Sequence, residues 1–325
     1  MRNLSRREFV QLCAATGAAL SLSEIIKPEI IEAFGGPAAG QPPVVWIQGG
    51  SCSGCTIGLL NAVSPDIKTV LTEVISLKFH QTLMAANGES AMAVLDEVYE
   101  KYPGKYFLVV EGGIPIGEGG MYATLGEHGT QPLTFEYWVR KMSQKAAAVV
   151  AVGACATFGG IPAAKPNPTN SQPVSAIVKG VPLINVAGCP THPDRVLGTV
   201  VHAIKYGVPE LDEHLRPTMF YSKCVHDLCG RRHHFDKGEF ATKLSGHGCL
   251  YKLGCKGPMS FTDCPTRKYN NGTNWCVGAN SPCLACVEPS FPDHSSPFFG
   301  IIKEYGPAGT PSPKAQTHKI FGGEK

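Results

Sequence analysis

The sequence carries little net charge and has no long apolar run. A formal net charge of +3 over 325 residues gives no reason to expect a nucleic-acid-binding protein. No run reaches about 18 consecutive apolar residues, so we expect no segment that spans a membrane as a helix. No internal repeat is present. A hydrophobic content of 43% nevertheless excludes wholesale disorder, so the chain is predicted to be globular.

Residues 1–40 are predicted to be an export signal of the twin-arginine type. Arg6 and Arg7 precede a weakly apolar stretch, residues 10–22, that is rich in Ala and Gly, as such signals are. A basic amphipathic helix at the terminus is the alternative interpretation. Small residues make 35–40 the expected cleavage zone. We therefore expect the protein in the periplasm, where free thiols are oxidised and bound ones are protected.

Residues 41–217 alternate predicted strands with predicted helices. Short apolar runs that stop at or near a glycine are typical of buried parallel strands, and they occupy residues 44–47, 107–110, 147–152 and 183–186. Helical candidates occupy residues 90–102, 134–145 and 194–206. The pattern predicts an α/β domain with a doubly wound parallel sheet, resembling flavodoxin.

Residues 218–300 differ in character and are predicted to be a second, loop-rich domain. They show little periodicity, contain many Gly, Pro and Asn residues, and hold eight of the 13 cysteines. Such a segment buries too few apolar side chains to fold unaided, so it requires disulfides or metal. Residues 301–325, rich in Pro, Gly and Lys, are predicted to be a loose tail or one laid along a partner.

Four cysteines fall on loops that follow predicted strands: Cys52, Cys55, Cys155 and Cys189. In an open α/β sheet, ligands bind at the carboxyl ends of the strands. Four thiolates converging there suit a Cys₄ iron–sulfur cluster. A zinc site is an alternative, although it usually has two C-x-x-C pairs and this set has one. Disulfides or a redox-active thiol pair are a further alternative.

The remaining cysteines form two more candidate sets in the second domain. One set is His226, Cys229, Cys249 and Cys255, and the other is Cys264, Cys276, Cys283 and Cys286. Histidine ligation of a cluster has precedent in Rieske centres. Setting aside Cys13 in the signal and Cys224, which fits neither set, eleven cysteines and His226 make three sets of four. An odd eleven fits poorly with disulfides alone.

Many segments in fixed order resemble the small subunit of periplasmic nickel–iron hydrogenases, most closely the nickel–iron–selenium branch. In the first domain they are Trp46-Ile47, Cys52-Ser53-Gly54-Cys55, Val74-Ile75-Ser76-Leu77 with His80, Glu111-Gly112-Gly113-Ile114-Pro115, Gly153-Ala154-Cys155, residues 159–164 and Gly188-Cys189-Pro190. In the second they are His226-Asp227-Leu228-Cys229, Leu253-Gly254-Cys255-Lys256-Gly257-Pro258, Asn274-Trp275-Cys276 and residues 283–289.

The resemblance implies a division of labour between two subunits. A large subunit would hold nickel and iron and split hydrogen, so no catalytic residue is expected in this chain. This chain would pass electrons through three 4Fe-4S clusters to a c-type cytochrome or a membrane acceptor complex. The implied ligands are Cys52, Cys55, Cys155 and Cys189 (proximal), Cys264, Cys276, Cys283 and Cys286 (medial), and His226, Cys229, Cys249 and Cys255 (distal). Any membrane association would then run through a partner.

Two positions depart from the pattern that many family members show. The run Thr56-Ile57-Gly58 stands where many members have a Glu after the first C-x-x-C, and Cys276 stands where a proline is usual. Without Cys276 as a ligand, the medial cluster would be a three-iron species. We also expect His226 near the surface, facing the acceptor.

Three alternatives of other kinds remain open from the sequence alone. One is a stand-alone multi-cluster, ferredoxin-like electron carrier. Another is a secreted binding protein held together by disulfides. The third is kinship with the cluster-bearing subunit of respiratory complex I, against which the C-terminal ligand sets and the export signal speak.

Overall fold

The computed structural model describes residues 41–296 and residue 298. The predicted export signal and the predicted tail lie outside the described residues. The chain divides into two compact units, Met1–Met219 and Phe220–Lys325. Among the described residues, no helix has the length and apolar character needed to cross a membrane.

The first unit is built on a five-stranded parallel sheet. Its strands are β1 (Pro43–Gln48), β2 (Ser76–His80), β3 (Phe107–Glu111), β7 (Ala148–Val152) and β9 (Leu183–Val186). They lie side by side in the order β2-β1-β3-β7-β9, and every neighbouring pair is parallel. Counted along the chain, this order is 2-1-3-4-5, the flavodoxin-like arrangement. The predicted fold class is confirmed.

Four short strands form two small antiparallel pairs beside the main sheet. They are β4 (Ile114–Pro115) with β8 (Ser171–Gln172), and β5 (Thr124–His128) with β6 (Gln131–Thr134). Helices of the first unit are α1 (Gly54–Leu60), α2 (Ile67–Thr69), α3 (Gly88–Lys101), α4 (Phe135–Ser143), α5 (Ala154–Phe158), α6 (Val174–Ile177) and α7 (Pro193–Tyr206). A π-helical turn, Val70–Val74, precedes β2.

Apolar side chains cover both faces of the sheet. On one face, residues of α1 and α7 such as Leu59 and Val196 pack on alternate strand residues including Val150. On the other face, Leu95 of α3 and Trp138 of α4 join the core that the intervening strand residues form. Each large aliphatic side chain removed from water contributes about 1.5–3 kcal/mol. Burial on both faces explains why these strands read as continuous apolar runs.

The second unit has little regular structure. Its helices are short: α8 (Thr218–Tyr221), which begins at the boundary, α9 (Val225–Leu228), α10 (Arg232–Asp236) and α11 (Cys264–Arg267), with 3₁₀ turns at Leu250–Leu253, Gly257–Met259 and Asp293–Ser295. Its main apolar cluster is small, and its buried members are Val225, Ala241, Leu250, Val277 and Cys283. Partly buried Cys229 and Cys255 pack against that cluster. Candidate ligands therefore form part of the core of this unit.

Candidate metal centres

The four candidate ligands of the first unit come together at the carboxyl edge of the sheet. Cys52 and Cys55 follow β1, Cys155 lies in α5 after β7, and Cys189 follows β9. Their thiols are close enough to interact electrostatically. Cys155 and Cys189 act on Cys55, Cys189 and Cys52 act on Cys155, and Cys52 acts on Cys189. The parallel order of the strands produces this convergence, because all their carboxyl ends meet at one edge.

Three of these thiols, Cys55, Cys155 and Cys189, resist ionisation because burial raises the pKa of each. Burial, followed by the charge of the neighbouring Cys189, raises the pKa of the Cys155 thiol to about 12. Burial also raises the pKa of Cys55 well above its ordinary value, and the Glu111 carboxylate adds to the effect. Metal coordination deprotonates a thiol outright, since the cation supplies the missing positive charge. The donor set therefore fits a metal cluster better than free thiolates.

Glycine is required at the turn that carries Cys155. Gly153 has a φ of 89°, in the left-handed region, and a Cβ there would lie 2.5 Å from the Sγ of Cys55. Any side chain at this position would push into the cysteine set. The close approach of the backbone lets two strand ends present their sulfurs to one site.

A buried carboxylate beside this set accepts several hydrogen bonds, which the sequence alone does not predict. Glu111, at the end of β3, is 1% exposed and accepts hydrogen bonds from both the backbone N–H and the hydroxyl of Thr56. Further donors are Trp46 Nε1, Gln48 Nε2, Ser51 Oγ and the Cys55 N–H. The sequence signal that could reveal it is a charged residue ending an apolar strand at the ligand-binding edge.

Thr56 links this carboxylate to a buried histidine. The Thr56 Oγ1 lies 3.3 Å from His80 Nε2, and the N–H of Thr82 donates to His80 Nδ1 at 3.2 Å. Burial lowers the pKa of His80 to about 4, and the nearby Glu111 opposes this only partly. The imidazole is therefore neutral at physiological pH. Thr56 thus joins Glu111 and His80 in one network.

The three cysteines of the set that begins with His226 interact with one another in the second unit. Burial raises the pKa of Cys255 to about 12, and the charges of Cys249 and Cys229 add to this. Cys249 also interacts with Cys229. The His226 Nε2 is buried and has no hydrogen-bond partner. A buried polar atom without a partner is costly, and coordination to a metal would satisfy it.

The His226 side chain is mostly buried. The residue is 9% exposed, and Phe235 packs edge-on against its ring with centroids 4.5 Å apart. Burial lowers the pKa of the imidazole, followed by the charge of Arg232. An aromatic side chain thus covers part of the ring. Nothing in the local sequence indicates this cover, because Phe235 lies nine positions later.

The remaining set lies around the closing C-x-x-C. Cys283 interacts electrostatically with Cys286 and Cys264, and Cys276 interacts with Cys264. Burial is the largest cause of the raised pKa at both Cys283 and Cys276. All four predicted members therefore lie together, including Cys276.

Ligand spacing separates these cysteine sets from a single-ion site. A tetrahedral zinc with Zn–S bonds of about 2.3 Å holds its sulfurs about 3.8 Å apart. Among the described residues, three candidate ligand atoms lie within 4.8 Å of one another only at His234, Glu239 and His247. The cysteine sets are wider, as a multi-iron cluster requires. No disulfide joins any of the 12 described cysteines, so the disulfide alternative finds no support in this part of the chain.

Comparisons with known proteins agree with this arrangement. Residues 221–299 match the model of the C-terminal region of the NiFe/NiFeSe hydrogenase small subunit, and residues 52–203 match that of the 20 kDa subunit of NADH ubiquinone oxidoreductase. The periplasmic [NiFeSe] hydrogenase small subunit of Desulfomicrobium baculatum is 44% identical over 91% of this chain and 99% of its own length. This chain belongs to the hydrogenase small subunits.

Other relatives lead to the same family. The quinone-reactive Ni/Fe-hydrogenase small chain of Wolinella succinogenes is 42% identical over 91% of this chain and 84% of its own length. A solved structure of the Desulfomicrobium baculatum [NiFeSe] hydrogenase superimposes with a TM-score of 0.78 at 43% identity, covering 81% of this chain and 100% of that one. The chain is therefore a subunit of an oxidoreductase that pairs with a large subunit, which holds the catalytic site, and hydrogenase small subunits carry iron–sulfur clusters. The complex I match concerns the sheet-containing unit alone.

Proposed function

We propose that this chain relays electrons through three iron–sulfur clusters between the hydrogen-splitting site of the large subunit and an external acceptor. The observation that supports it most is that eleven thiols interact electrostatically within the three proposed sets, together with a buried His226 nitrogen that has no hydrogen-bond partner. Bound clusters would supply one-electron carriers. Three such carriers in one chain suit long-range electron transfer and no substrate chemistry of their own.

Each set has a proposed place in the relay. Cys52, Cys55, Cys155 and Cys189 would hold the proximal 4Fe-4S cluster, Cys264, Cys276, Cys283 and Cys286 the medial one, and His226, Cys229, Cys249 and Cys255 the distal one. The chain tunes these sites through hydrogen bonds to sulfur, such as those from the backbone of Thr191 to Cys55 and of Ile161 to Cys155. Neutral His226 in place of a thiolate makes its cluster easier to reduce.

The acceptor and the compartment are part of the same proposal. Relatives named periplasmic hydrogenase small subunits, together with Arg6 and Arg7, support a periplasmic enzyme exported by the twin-arginine route. A c-type cytochrome or a membrane acceptor complex would then receive the electrons. The relative from Wolinella succinogenes is named quinone-reactive, which supports a membrane acceptor as one of the two.

Purification with the native partner tests the proposal. The enzyme should contain a nickel-bearing large chain in equal amount, and this chain should contribute about twelve iron atoms with matching acid-labile sulfide. A ferredoxin-like carrier would purify alone with the same iron content. Copurification therefore distinguishes the two functions, and an iron-free chain would contradict both.

A further inference from the structure

Outside the three cysteine sets, two imidazoles and one carboxylate converge on the surface of the second unit. His234, Glu239 and His247 each place a ligand atom within 4.8 Å of the other two. The His234 Nδ1 lies 2.6 Å from the Glu239 Oε2, and the rings of His234 and His247 have centroids 4.3 Å apart at 79°. In the sequence alone, the histidines near His226 form only a His-rich background to it.

Backbone hydrogen bonds hold the three residues close to one another. The N–H of Glu239 donates to the carbonyl of His234 at 2.8 Å, and the N–H of Cys249 donates to the carbonyl of Glu239 at 2.8 Å. Between them, Gly248 has a φ of 104°, and a Cβ there would lie 2.8 Å from the Glu239 carbonyl oxygen. Only glycine lets the loop return close enough to place His247 beside the other two residues.

We propose that His234, Glu239 and His247 form a binding site for a divalent transition metal of the Zn²⁺ type. Two imidazoles and one carboxylate are the ligands of zinc sites that keep a fourth position open for water or another ligand. Zinc–ligand distances of about 2.0–2.1 Å require the three atoms to draw together, to about 3.3 Å from one another. Glu239 and His247 are exposed, so rotation of their side chains brings this about without movement of the backbone.

An ordinary ion pair would explain only part of this arrangement. A His234–Glu239 pair needs no third partner, whereas His247 adds a second imidazole at ligand distance. Imidazole ligands suit Zn²⁺, Cu²⁺ and Ni²⁺, and the lack of a thiolate in the group disfavours an iron–sulfur cluster. The site is distinct from the three cysteine sets because it shares no residue with them.

The proposed metal site lies close to the proposed distal ligands, so metal binding there would affect the proposed electron relay. On α10, Phe235 packs against His226 while its neighbour His234 belongs to the metal group. A bound cation would therefore add positive charge close to the proposed distal ligands. This consequence rests on the proposed function, but the binding of metal does not.

Calorimetric titration of the intact large–small heterodimer with Zn²⁺ tests the site. The wild type should bind one more equivalent of Zn²⁺ than His247→Gln or Glu239→Gln, or should bind that equivalent with an affinity more than about tenfold higher. Even residues that only support the ligands of a metal site change its affinity by about tenfold. His233→Gln is the matched control: it alters the neighbouring histidine on α10, which lies outside the group.

The possible results of the titration either support the site or overturn it. Loss of the equivalent in both His247→Gln and Glu239→Gln, with wild-type binding in His233→Gln, supports the site. Equal binding by the wild type and His247→Gln overturns it, as does an equal loss in His233→Gln. Iron content is measured in each sample and must stay constant, because cysteines released from a lost cluster would bind zinc themselves.

Discussion

The backbone N–H of Cys283 donates a hydrogen bond to the Sγ of Cys255 over 3.3 Å. The two residues belong to different proposed ligand sets, the medial and the distal one. The N–H of Lys256, next in the chain, donates to the carbonyl of Cys283 at 2.8 Å. The two sets are thus in direct contact at Cys283, and a charge placed there acts on both.

Replacing Lys256 with Met should make the medial and distal clusters harder to reduce. Lys256 is 3% exposed, and its ammonium interacts with Cys255 and Cys283. Burial lowers the pKa of this ammonium, while the two sulfurs oppose the effect. Its positive charge favours the reduced, more negative cluster, so both potentials should become more negative without it.

Potentiometric titration followed by electron paramagnetic resonance measures this shift. Lys256→Arg keeps the charge and should retain the wild-type potentials. Lys237→Met, at an exposed position, should also leave them unchanged, because solvent screens that charge. Wild-type potentials in Lys256→Met would show that the side chain is uncharged in the folded protein.

Glu111→Gln should shift the proximal cluster in the opposite direction. The substitution removes a buried negative charge next to Cys55, so the proximal potential should become more positive. It also turns an acceptor of several hydrogen bonds into a partial donor, which should cost about 1–3 kcal/mol of stability. Redox titration and thermal unfolding check the two effects. Glu97→Gln, on the exposed face of α3, serves as the control and should show neither effect.

The oxidised enzyme should lack the resonance signal of a three-iron cluster. Cys276 interacts with Cys264 and completes the medial set, so a fourth iron can bind. Cys276→Pro and Cys276→Ala should each create the three-iron signal and raise the medial potential. Cys224→Ala changes a free cysteine outside the sets and should not. A strong three-iron signal in undamaged wild-type enzyme would refute the assignment.

His226→Ala should slow electron exit by at least about tenfold while sparing hydrogen activation. The unpaired Nε2 of His226 is the proposed distal ligand, whereas hydrogen is split on the large subunit. Acceptor reduction and hydrogen–deuterium exchange are compared in the same preparation. His233→Ala, at a neighbouring position outside the sets, is the control. An equal loss of both activities would assign His226 a different role.

Replacing Arg6 and Arg7 together with Lys should trap active enzyme in the cytoplasm. Twin-arginine export transports proteins that have already folded around their cofactors, so the large subunit should be retained as well. Cell fractionation with a hydrogenase assay measures the distribution. The control replaces Arg2, outside the pair, with Lys. Normal periplasmic activity of the double variant would show that export does not depend on the pair.

Much of the sheet could be predicted because its central strands are buried on both faces. The runs at 107–110 and 147–152 became the central strands β3 and β7 with almost unchanged bounds. Strand β9, at one edge of the sheet, was also predicted because three of its four residues are buried and form an apolar run. Strand β2, at the other edge, was missed because three of its five residues are only partly buried and it shows no continuous apolar run.

The candidate sites could also be predicted only in part from the sequence. Cysteines stand out by number and spacing, so the sets could be proposed before any contact was known. Glu111 and His247 carry no such signal, because their roles depend on residues far away in the chain or on the return of a loop. The aromatic cover of His226 by Phe235 is also a product of tertiary packing.

Because the apolar core of the second unit is small, we expect the folding of this unit to depend on the supply of iron. Val225, Leu250 and Val277 are buried among residues that are themselves proposed ligands. So few apolar residues cannot hold a segment of this length together without another constraint. A newly made chain that receives no iron would leave this segment open to proteases. We therefore expect cluster insertion to determine whether this unit folds and escapes degradation.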